Sequence, residues 1–77
     1  MKLIKQYRGE YRGETTIDGM KITLEVSSLS DRGFSYSYYV NGKLTLNDGW
    51  YGLRLKDIKR DIDSEIEIAI DEYKNPS

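Results

Sequence analysis

The sequence predicts an α+β fold: a four-stranded antiparallel meander sheet packed against one C-terminal helix, in the order ββββα. Three observations predict it. Apolar and polar residues alternate along most of the first two thirds of the chain. Asp18-Gly19 and Asn41-Gly42 punctuate that alternation as hairpin turns. From about Leu53 the apolar spacing lengthens to three and four. Alternation places successive side chains on opposite faces of a sheet, whereas the longer spacing gathers them on one face of a helix.

The first strand is expected over about 2–17. It contains a tetrapeptide written twice, "YRGEYRGE", from Tyr7 to Glu14. Two glycines four apart argue against a helix, at about 1 kcal/mol each relative to alanine. As one long strand, the repeat puts Tyr7, Gly9, Tyr11 and Gly13 on the buried face and alternates Arg8, Glu10, Arg12 and Glu14 on the wet face. The glycines leave room or permit a bend.

The second strand is expected over about 20–29. Asp18-Gly19 suits a two-residue turn, because both central positions need positive φ. That turn pairs Ile17 with Met20, Thr15 with Ile22, Gly13 with Leu24 and Tyr11 with Val26 on one face. It pairs Arg12 with Glu25 and Thr16 with Lys21 on the other. Register and side-chain pattern agree.

The third and fourth strands are expected over about 34–40 and 43–47. "FSYSYYV" sets Phe34, Tyr36, Tyr38 and Val40 against Ser35, Ser37 and Tyr39. A two-residue loop at Asn41-Gly42 would pair Tyr38 with Thr45 and turn both following leucines to the serine side. A bulged three-residue loop, Val40-Asn41-Gly42, pairs Tyr38 with Leu44 and Tyr36 with Leu46. It is preferred because it keeps the faces consistent.

The helix is expected over about 54–74. Leu55, Ile58, Ile62, Ile66, Ala69 and Tyr73 form its core stripe, and Pro76 ends it. Asp57, Asp61, Glu65 and Glu72 lie away from that stripe, with Ile68 among them.

Composition narrows the function. The chain has 77 residues, 38% hydrophobic and 32% charged, which makes one domain with a thin core that a partner or a second copy would stabilise. It has no Cys and no His, so thiolate chemistry, disulfides and the commonest metal ligand and acid-base group are absent. No cofactor and no metal are expected. A meander with one helix offers little concavity, no Gly-rich phosphate loop follows a strand, and no enzyme is expected. The opening "MKLIKQYRGE" has no signal-peptide run and nothing reaches the length of a membrane span, so the expected location is cytoplasmic and no membrane partner is expected.

Net charge is −1. Residues 1–55 carry eight Lys/Arg and six Asp/Glu, whereas residues 56–77 carry four and seven. Neither imbalance is large enough to imply nucleic acid by charge alone, and direct nucleic-acid binding is not expected. The candidate partner-binding residues are the helix set Ile68, Asp57, Asp61, Glu65 and Glu72, and Tyr39 on the serine-lined face. An apolar residue within an acidic stripe suits contact with a basic protein. The alternatives are a single-stranded nucleic-acid binder using a Tyr/Arg sheet face, and a small bacterial protein acting as a homodimer.

Several islands resemble small phage-encoded anti-CRISPR proteins that inhibit type I-F surveillance complexes. They are Met1-Lys2-Leu3-Ile4-Lys5, Val40-Asn41-Gly42-Lys43, Tyr51-Gly52-Leu53 and Asn75-Pro76, in the same order in a chain of nearly the same length. They cover a minority of the chain; the YRGE repeat and "FSYSYYV" fall outside them. The resemblance implies an inhibitor that binds a protein subunit of the complex and blocks target-DNA engagement. No functional residue of that family falls on a matched island.

Overall fold

The computed structural model describes residues 1–29, 33–51 and 55–76, without the side chains of Trp50, Tyr51, Leu55, Asp57 and Ile58. Its elements are β1 (Ile4–Tyr7), β2 (Glu10–Ile17), β3 (Met20–Ser28), β4 (Gly33–Val40), β5 (Lys43–Tyr51) and α1 (Leu55–Lys74). The strands form one antiparallel sheet in the order β1-β2-β3-β4-β5. The α+β meander with a C-terminal helix is as the sequence predicts, but it has five strands rather than four.

The extra strand comes from the repeat. Residues 2–17 are not one strand: the first Tyr-Arg-Gly-Glu folds as a turn and only the second lies in the middle of a strand. Gly9 sits at φ 79°, in the left-handed region that a side chain resists. Its carbonyl accepts the Ser28 amide at 2.6 Å, which ties the turn to the end of β3. The reversal leaves Tyr7 72% exposed, not on the buried face.

The second glycine does a different job. Gly13 lies in β2 opposite Leu24. A Cβ there would stand 2.6 Å from the Met1 sulfur and 3.0 Å from the Lys2 carbonyl oxygen. Residues 1–3 therefore cross the helix-facing side of β2, and Leu3 reaches the core. The Met1 ammonium meets Asp63 Oδ1 at 3.5 Å, joining this segment to one flank of α1.

The β2–β3 hairpin has the register that Asp18-Gly19 dictates, from Ile17↔Met20 to Tyr11↔Val26. Asp18 at φ 51° and Gly19 at φ 79° make the turn.

The β4–β5 hairpin departs from the expected three-residue loop. Val40 pairs with Lys43 across a two-residue Asn41-Gly42 turn, and the bulge falls one pair later. Tyr39 faces Leu44 and Tyr38 faces Leu46, so Thr45 is the extra residue; Tyr36 faces Asp48 rather than Leu46. The bulge turns Leu44 to the open face and Leu46 to the core side, a division neither simple loop provides. Asn41 anchors the turn: its amide donates to Lys21 O at 2.8 Å and its side-chain oxygen accepts from Lys21 N at 3.0 Å. Pairing then runs to Tyr51, past the expected end at residue 47.

The core lies between sheet and helix. Ile22, Leu24, Val26, Tyr38 and Val40 are at most 1% exposed, beneath Ile62, Ile66 and Ala69. Each large aliphatic side chain buried here contributes about 1.5–3 kcal/mol. Tyr36 and Tyr38 meet edge to face, with ring centroids 5.6 Å apart. No helix or second sheet among the described residues covers the other face, as antiparallel sheets allow. Among the described residues no helix is long and apolar enough to cross a membrane.

Candidate interaction surface

Helix phase decides what α1 shows to solvent. Ile62, Ile66 and Ala69 point inward, so at about 100° per residue Asp61, Ile68 and Glu72 fall together on an outer flank. Ile68 is 56% exposed, Asp61 is exposed and Glu72 is half-buried. Residues 61–73 contain six Asp/Glu and no Lys or Arg. The side chain of Asp57 lies outside the described residues.

Glu65 belongs elsewhere. It is half-buried and accepts a hydrogen bond from the Tyr36 hydroxyl. Burial is the main cause that pushes the Tyr36 hydroxyl well above the usual tyrosine range. The bond to Glu65, its charge and that of Asp48 add to it. Tyr38 is raised too, first by burial and then by the charge of Glu65. Its hydroxyl donates to the Ile62 carbonyl at 3.3 Å. Both phenols thus stay neutral donors that fasten α1 to β4.

The open sheet face carries Tyr39, half-buried beside Thr23 of β3 and Leu44 of β5. A shallow depression of about 350 Å³ lies there, lined by Arg12, Lys21, Thr23, Glu25, Tyr39 and Gly42. Glu14 Oε1 meets Arg12 at 3.0 Å and Lys21 at 3.8 Å. These pairs are half exposed or more and contribute at most about 1 kcal/mol each. Glu10, Glu14 and Glu25 share this face with Arg12 and Lys21, Glu25 directly opposite Arg12, so these five residues of β2 and β3 carry no cationic surplus.

Leu44, Ile4 and Tyr7 are also exposed, at 48%, 59% and 72%. Sequence reasoning missed all three. Leu44 follows from the bulge at Thr45, and Tyr7 from the turn at Arg8-Gly9. Ile4 pairs with Arg12 and so shares the open face, because β1 shifts register between Lys5 and Tyr7. Plain pairing across Arg8-Gly9 would have set Ile4 opposite Gly13 on the buried face, so the turn alone did not place it. Among the described residues no three His, Cys, Asp or Glu side chains converge to hold a metal ion.

Set against protein-family models, curated proteins and solved structures, the chain matches none of them.

Proposed function

We propose that the protein is a small non-enzymatic protein-binding module that works by docking on a basic partner. One observation carries this reading: Ile68 stands 56% exposed on the outer flank of α1 beside Asp61 and Glu72. An aliphatic side chain gains free energy when a partner covers it, and carboxylates around it favour a basic partner and speed the encounter. The resemblance to type I-F anti-CRISPR proteins adds a class of partner, a protein subunit of a nucleoprotein defence complex, and the role of a phage or mobile-element inhibitor.

The single-stranded nucleic-acid reading is the weaker one. It needs several stacking rings and free cations on one face. Tyr36 and Tyr38 are core residues, Tyr11 and Tyr73 pack against the core, and Arg12 is paired with Glu14.

The test is capture from the native host with wild type and Ile68→Asp as baits, read by mass spectrometry. A protein held by wild type and weakened about fivefold or more by Ile68→Asp supports the reading. Nucleic acid captured instead, with steep loss in salt, would replace it. The defence-complex proposal is checked separately, by target-DNA binding of a type I-F complex with and without the protein.

A further inference from the structure

We propose that the outer edge of β5 takes an extended basic segment of the partner as a sixth strand, beneath the Ile68 flank of α1. This rests on the protein-binding reading above and names its mode.

Three observations meet at this edge. The first is the edge itself. β5 is the last strand of the sheet and runs for nine residues, whereas β1 at the other edge has four. An unpaired strand edge presents a row of main-chain donors and acceptors, the usual template for strand addition.

The second is where the amides point. The Gly49 amide donates to Asp48 Oδ1 at 2.8 Å, a side-chain cap on an edge group. Alternate residues of an antiparallel strand aim their main-chain groups the same way. Asn47 therefore presents its amide outward with Gly49. Among the described residues no acceptor meets the Asn47 amide from outside the sheet.

The third is charge. The Asp63 flank of α1 meets Met1, which lies over Gly13 of β2. Ile68 is five residues further on, about 140° around the helix, and so faces the opposite way, over the β5 side. A strand added to β5 would run past Asp48 below and past Asp61, Ile68 and Glu72 above. Its helix-facing side chains would meet carboxylates with one apolar contact among them. Lysine or arginine at alternate positions fits that lane. A second copy would bring its own acidic flank against this one, and nucleic-acid phosphates would be repelled by it.

The experiment uses the whole chain and a synthetic peptide of about seven residues, alternating lysine and valine, the length of an ordinary strand. Amide exchange and NMR titration are the readouts. The peptide is expected to bind, to slow exchange at Asn47 and to shift residues of β5, while its glutamate counterpart does none of these. Asn47→Pro deletes an outward amide without touching the pairing with β4, and should weaken binding about tenfold or more with the fold retained. Asp48→Lys leaves the main chain intact and should weaken binding similarly, which covers the case in which the proline variant fails to fold. Binding unchanged in the folded variants, or no binding of the basic peptide to wild type, overturns the proposal. So does a wild-type dimer in sedimentation that Asn47→Pro dissociates, because the occupant is then a second copy. A native partner held equally by wild type and Asn47→Pro overturns the edge mode and leaves the protein-binding reading standing. Capture of nucleic acid alone overturns both.

Discussion

The hydroxyl of Tyr38 donates to the main-chain carbonyl of Ile62 across 3.3 Å, from the middle of β4 to the inner face of α1. That carbonyl keeps its own place in the helix ladder, so the phenol adds a second bond to it. Tyr38→Phe should therefore cost about 1 kcal/mol, the net worth of one buried hydrogen bond, with the fold intact. Tyr38→Ala should cost about 3–5 kcal/mol, because the ring itself fills the core. Urea denaturation of both variants checks the ratio.

Stability should fall in alkali through the same pair of phenols. Tyr36 and Tyr38 have hydroxyl pKa values raised in the fold above the ordinary 10.0, chiefly by burial. A raised folded value means that the native state holds a proton the unfolded chain gives up. The contribution is fully present below pH about 10 and is lost as pH rises above it. The expected result is a denaturation midpoint that declines above that pH, and a smaller decline in the Tyr36→Phe, Tyr38→Phe double variant.

Gly13→Ala and Gly19→Ala should destabilise for different reasons. At Gly13 the added carbon meets the Lys2 carbonyl at 3.0 Å, so residues 1–3 must lift from the sheet. The expected loss is about 1–3 kcal/mol, with amide shifts at Leu3 and near Asp63. At Gly19 nothing lies within 4 Å, but φ is 79°. There the loss should be about 1–2 kcal/mol, from backbone strain alone. Shifts confined to the turn distinguish it.

Helix phase is tested by two isoleucines. Ile62 is 1% exposed and Ile68 is 56% exposed. Ile62→Ala should cost about 2–5 kcal/mol, and Ile68→Ala less than about half a kcal/mol. Equal losses in thermal unfolding would rule out this packing of α1. Ile58, expected on the same inner stripe as Ile62, has its side chain outside the described residues.

The sequence by itself determined the features whose causes are local. Asp18-Gly19 imposes a two-residue turn, and a two-residue turn leaves one register in which Tyr11, Gly13, Thr15 and Ile17 share a face with Val26, Leu24, Ile22 and Met20. The spacing of Ile62, Ile66 and Ala69 decides which side of α1 is buried, and so leaves Ile68 outside. Turn chemistry and periodicity act within a few residues, and both can be read without knowing what packs against them. Tertiary structure decided the rest. The two Tyr-Arg-Gly-Glu copies are identical, yet one turns and one extends. Ser28 receives the first at Gly9, and residues 1–3 cross the second at Gly13. The bulge at Thr45 follows from having to seat Leu46 under the helix while Asn41 is held by Lys21. Glu65, written among surface acids, leaves them because the buried Tyr36 hydroxyl takes its carboxylate as acceptor. In each case the deciding partner is far away in the chain, and only packing brings it near.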